Sequence, residues 1–75
     1  MSVIANKLGR VIRLERERRR LSQEALSELA EMNRSFVGEI ERGEATPTIV
    51  TLQKLADALG MKLSELIKQY EEQSE

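Results

Sequence analysis

Arg34, Gly38 and Arg42 stand four residues apart in the stretch NRSFVGEIERG, residues 33–43. Residues at that spacing share one face of a helix. The three would form a stripe with a guanidinium at each end and no side chain in the middle. A guanidinium is planar, permanently charged and able to donate two parallel hydrogen bonds to one acceptor group. A glycine inside a helix costs about 1 kcal/mol relative to alanine. Close approach of the backbone to an outside surface would offset that cost, and the flanking arginines suit an electronegative, grooved surface. Packing of Gly38 against a neighbouring helix explains the glycine equally well.

The other reactive side chains are few. The 75-residue chain has no cysteine and no histidine, and Asp57 is its only aspartate. Disulfides, thiolate metal sites and the commonest general base are therefore excluded, no metal or cofactor is expected, and an enzyme is a poor reading. The net charge is −1, against indiscriminate coating of a polyanion, but it is unevenly spread. Residues 1–42 carry nine Lys/Arg and seven Asp/Glu; residues 43–75 carry three and six. No apolar run has the length of a membrane span and no signal-peptide pattern opens the chain, so a cytoplasmic protein with no membrane partner is expected.

Helices must position these groups, because helical periodicity recurs along the chain and strand signals are nearly absent. Leu8, Val11 and Ile12 mark the inner face of a first helix over roughly 3–19. Ser22 caps a second, with Ala25, Leu26, Leu29 and Ala30 inward. Asn33 caps a third that runs to Arg42 and stops at Gly43, expected to be left-handed. At 100° per residue, Arg34, Ser35, Gly38, Glu39 and Arg42 fall in one broad arc. Val37 and Ile40 lie opposite, with Phe36 at the boundary. Thr48 caps a fourth helix with Ile49, Leu52, Leu55, Ala56 and Leu59 inward, stopped by Gly60. A fifth begins near Leu63, with Leu66, Ile67 and Tyr70 on one side. The expectation is one all-α domain over 1–75, its core at about 8–67, with a frayed acidic tail at 71–75.

Two short helices joined by a tight turn, here the second and third, make a helix-turn-helix. The run LSQEALSELAEMNRSFVGEIERGEATPTIVTLQKLADALGM resembles the lambda-repressor/Cro-like, or XRE, family over about residues 8–67. LSQEAL, IERG and the P-x-x-x-T-L-x-x-L-A-x-A-L-G pattern carry the resemblance jointly. It implies a five-helix fold whose third helix enters the major groove of double-stranded DNA, where arginine meets guanine edges. It implies base reading by Arg34, Ser35, Phe36 and Glu39. Gln23 and Arg42 would meet the backbone, helped by Asn33 and by the close approach at Gly38. It also implies a structural ion pair of Arg16 with Glu41.

Several residues keep a second reading. Phe36 also fits the rim of the core, and Glu39 also fits a charge pair with Arg34 or Arg42. In the run RERRR, residues 16–20, Arg18 and Arg20 read as a solvated helix end suited to the macrodipole. Arg19 is open to a phosphate role. Three positions depart from the family pattern. Glu31 stands where the turn often has glycine, Lys62 where the fifth helix often has a Ser or Thr cap, and Glu15 where an apolar residue would continue the first helix's inner face.

Val50, Leu63, Leu66, Ile67 and Tyr70 are expected to form an apolar seam between two copies of the chain, one monomeric core being the alternative. The reading is a homodimeric, sequence-specific transcriptional regulator of a pseudo-palindromic operator. No sensor domain and no small-molecule effector is expected. NRSFVGEIERG looks most like the controller proteins of restriction–modification systems; a phage-type repressor, an antitoxin or another protein-interaction module remain the alternatives.

Overall fold

A computed structural model describes residues 2–73, which form α1 (Val3–Arg18), α2 (Gln23–Ala30), α3 (Arg34–Glu41), α4 (Ile49–Ala58) and α5 (Leu63–Glu72). No strand occurs among the described residues. The predicted capping residues act as expected. Ser22 Oγ accepts from Ala25 N–H at 2.9 Å, Asn33 Oδ1 from Ser35 N–H at 2.8 Å and Thr48 Oγ1 from Thr51 N–H at 3.2 Å. Each satisfies one backbone donor that a helix start leaves unpaired. Ser2 caps α1 in the same way.

One core joins all five helices. Leu8, Val11 and Ile12 of α1 meet Leu26 and Ala30 of α2, Val37 and Ile40 of α3, Leu52, Leu55 and Ala56 of α4, Leu59 just beyond α4, and Leu66 of α5. Burying each large aliphatic side chain contributes about 1.5–3 kcal/mol, which offsets the ordering of helices too short to stand alone. α1 packs on α3 and α5, α2 on α3 and α4, and α4 on α5. The α1–α3 crossing is tight at Gly9: a Cβ there would lie 2.7 Å from the Glu41 carbonyl oxygen and closer still to that of Ile40. Glycine at that point lets two backbones touch, as α1 and the end of α3 do here.

Two expected core residues are exposed. The inner arc of α2 is centred on Leu26, Ala30 and the buried Ser27, whose hydroxyl donates to the Glu24 carbonyl, so Leu29 is turned outward. Ile49 lies on the inward stripe of α4 by angle, but it opens the helix at a turn that nothing covers. Conversely Leu66, assigned to an intersubunit seam, is wholly buried in the monomer and belongs to its core.

The turn residues resolve as physical chemistry requires. Gly43 and Gly60 have φ of 76° and 71°. Glu31 is also left-handed, with φ 55° and ψ 49°, a cost of about 1–2 kcal/mol for a residue with a side chain. The N–H groups of Glu31 and Met32 donate to the carbonyls of Glu28 and Ser27 and wrap the end of α2. Lys62 cannot accept a capping bond. Instead Glu65 Oε1 reaches back to the Lys62 N–H at 2.8 Å, half of a capping box, and starts α5. α5 continues through Glu71 and Glu72, where a frayed tail was expected; Ser74 and Glu75 lie outside the described residues.

Candidate nucleic-acid interface

The first turn of α3 is open to solvent on one side and packed on the core on the other. Arg34 and Ser35 are exposed, Phe36 and Glu39 half-buried, and Val37, Ile40 and Glu41 buried. Phe36 packs against the core, as its rim reading requires. Asn33 is spent on its cap, so its side chain orders the start of α3.

Gly38 differs from the expectation. It is buried rather than bare, because the space left by the missing Cβ is filled from within the molecule. A methyl there would lie 2.9 Å from Arg42 Nη1 and 3.5 Å from Gln23 Oε1. The glycine thus lets the Arg42 side chain fold back along α3 beside the start of α2. The close approach to an outside surface predicted at Gly38 is replaced by this internal one, and the backbone contact that demands glycine is at Gly9.

Behind α3 stands the predicted ion pair. Arg16 Nε and Nη2 donate to the two oxygens of Glu41 at 2.7 and 3.0 Å. Arg16 Nη1 donates to the Leu21 carbonyl at 2.8 Å. Gln23 Nε2 adds a bond to Glu41 Oε1 at 3.0 Å. The side chains of Arg16 and Glu41 are only 12% and 3% exposed, so this is a buried, two-pronged pair and not a surface one. The hydrogen bond to Glu41 raises the Arg16 guanidinium further above its ordinary pKa. The network ties the end of α1, the start of α2 and the end of α3 into one corner.

Arg42, at the end of α3, is exposed and clasps Glu44 through Nε and Nη2 at 3.0 and 3.1 Å. The clasp raises Arg42 and lowers the Glu44 carboxyl below the ordinary glutamate range, in each case chiefly through these hydrogen bonds. Glu39 also contributes to the raised Arg42 through its charge, in keeping with its charge-pair reading.

The RERRR run is largely structural. Buried Glu15 accepts from Arg18 Nη1 and Arg19 Nη1, both at 2.8 Å, and Arg19 Nε donates to the Leu59 carbonyl at the end of α4. Arg18 is therefore paired rather than merely solvated, and Arg19 is a helix cap. The i+3 and i+4 spacing from Glu15 was the available signal for both bonds.

Of the proposed seam residues, Val50 is 64% exposed, while Leu63, Ile67 and Tyr70 are half-buried against the core. Ile67 and Tyr70 line an apolar groove of about 220 Å³ with Ile4, Leu8, Pro47 and Leu52. Lys7 Nζ sits 4.7 Å from the centre of the Tyr70 ring. No helix among the described residues is long and apolar enough to cross a membrane.

The helix-turn-helix family model HTH_3 matches residues 12–66. The immunity repressor of Bacillus phage phi105 is 37% identical over 60 residues, covering 80% of this chain but only 42% of the repressor. The control protein C.MunI of Mycoplasma sp is 33% identical over 61 residues, covering 81% of this chain and 82% of that protein. The crystal structure of the restriction–modification controller protein C.AhdI from Aeromonas hydrophila is similar with a TM-score of 0.80 and 40% identity, covering 83% of this chain and 94% of that one.

Proposed function

The chain belongs to the helix-turn-helix family, a family of DNA-binding transcriptional regulators and not of enzymes, and from that premise we propose that it reads double-stranded DNA with α3. The observation that carries the reading is the Arg16–Glu41–Gln23 corner. It anchors the end of α3 to α1 and α2, while Arg34 and Ser35 are exposed at its start. Arg34 is the base-reading residue, worth about 1–3 kcal/mol of discrimination at one guanine. Ser35, Phe36 and Glu39 complete the reading turn, and Gln23 and Arg42 meet the phosphate backbone. Asn33 and Gly38 support that surface from within.

The protein acts as a homodimer on a pseudo-palindromic operator whose half-sites lie about 34 Å apart. Exposed Val50 and Ile49, together with the half-buried Leu63, Ile67 and Tyr70, supply the apolar surface between copies. The operator belongs to a restriction–modification system. Support comes from controller relatives such as C.MunI and C.AhdI, whose likeness spans most of both chains, whereas that to the phage repressor spans under half of the repressor. On this reading the protein works in the cytoplasm.

Selection of bound fragments from randomised duplexes, followed by Arg34→Ala and Arg42→Ala, tests the proposal. Arg34→Ala should relax preference at one position per half-site, while Arg42→Ala should weaken all sequences alike. Loss of affinity in both variants with preference unchanged would remove the base-reading role. Absence of binding to any duplex at low salt would favour a protein-binding module instead.

A further inference from the structure

A polar cleft of about 160 Å³ opens where α1, α2 and α3 meet, lined by Arg13, Arg16, Gln23, Glu41 and Arg42. Its floor is already satisfied. Arg16 has every nitrogen engaged, on Glu41 and on the Leu21 carbonyl, and Gln23 completes the coordination of Glu41. The charge of Glu41 is thereby balanced within the molecule.

The two rim arginines are held differently. Arg13 makes a single bond from Nε to Glu17 Oε2 at 3.2 Å, with side chains 63% and 48% exposed. Arg42 grips Glu44 from an equally open position. Exposed pairs of this kind are screened by solvent and contribute little, so an incoming anion can displace their carboxylates at little cost. A phosphodiester oxygen has the same acceptor chemistry and accepts charge-assisted bonds from guanidinium groups.

We propose that this cleft seats a backbone phosphate of duplex DNA between Arg13 and Arg42, and that Glu17 and Glu44 hold the two arginines in its place in the free protein. The inference rests on the DNA-reading role of α3 and extends its backbone contacts to α1. Arg13 becomes a positioning contact without sequence preference. Glu44 becomes a brake on affinity, because its carboxylate must leave Arg42 before the phosphate can bind.

Fluorescence anisotropy of the full chain with two labelled duplexes, one selected and one unrelated, tests this across a range of salt. Each phosphate neutralised contributes about −0.9 to the slope of log K against log salt. Arg13→Ala should reduce the magnitude of that slope by about 0.9 and weaken both duplexes by the same factor. Glu44→Gln should strengthen both by up to about fivefold, since it removes only an exposed, solvent-screened competitor for Arg42. Both side chains are exposed, so far-UV circular dichroism should be unchanged. An unaltered slope in Arg13→Ala, a change in base preference, or weaker binding by Glu44→Gln would each overturn the seat while leaving the α3 reading intact. Failure of the unmodified protein to bind either duplex would overturn both.

Discussion

Removal of the Glu41 carboxylate should unravel the corner on which the proposed DNA-reading surface stands. Glu41→Ala leaves the Arg16 guanidinium nearly buried with only the Leu21 carbonyl as partner and deprives Gln23 Nε2 of its acceptor. Breaking a buried ion pair from one side costs about 3–5 kcal/mol. A chain of this length has a total stability of about 4–11 kcal/mol, so the loss takes a large share of it. At about 4–8 °C per kcal/mol, a loss near 3 kcal/mol lowers Tm by about 12–24 °C.

Urea denaturation followed at the helical dichroism band measures this directly, with two companions. Glu17→Ala breaks the exposed pair with Arg13 and should cost less than about 1 kcal/mol. The double replacement Arg16→Met/Glu41→Leu removes both charges and should recover most of the stability lost in Glu41→Ala, because no buried charge is left unpaired. A Glu41→Ala loss no larger than that of Glu17→Ala, or a double variant less stable than Glu41→Ala, would refute the buried-pair reasoning.

The remaining variants separate the neighbouring features. Gly9→Ala should destabilise by about 1–3 kcal/mol, because its methyl meets the carbonyls of Ile40 and Glu41. Gly38→Ala should be neutral or stabilising by up to about 1 kcal/mol, because its one tight contact is with the movable end of Arg42, Gln23 Oε1 lies at ordinary contact distance, and helix propensity is gained; the opposite order in thermal melts would contradict the close-contact assignment. Leu66→Glu should fail to fold, whereas Val50→Glu should fold and sediment as a monomer; a folded dimer of Val50→Glu in analytical ultracentrifugation would refute the proposed seam. Glu44 should titrate below an ordinary glutamate, so the clasp is intact at neutral pH and is lost only as pH falls through that lowered pKa. Arg42→Gln should return the Glu44 carboxyl upward in an NMR titration, and an unmoved titration would contradict the clasp.

The helices and their starts were legible because they depend on local rules. Ser22, Asn33 and Thr48 cap where their side chains can reach the next turn, and the Gly43 stop follows from its φ. The Arg16–Glu41 pair was legible only through resemblance, since 25 residues separate the partners. Tertiary crossings were the opaque part. Gly9 and Gly38 look alike in sequence, but only the packing of α1 on α3 shows which backbone is touched. Leu29 and Leu66 differ in fate for the same reason. Each sits on an apolar stripe, and the angle at which its helix meets the rest decides whether it is covered. Glu15 broke the apolar stripe of α1 because two arginines one turn later make its burial tolerable.

On the proposed reading, the outward turn of α3 meets the duplex. Mapping amide shifts of isotope-labelled protein while a selected duplex is added would show this. The largest changes should fall on Gln23, Arg34, Ser35, Glu39 and Arg42, with Ile67 and Tyr70 little affected. Changes confined to the α5 face, with residues 34–42 silent at saturating duplex, would contradict it.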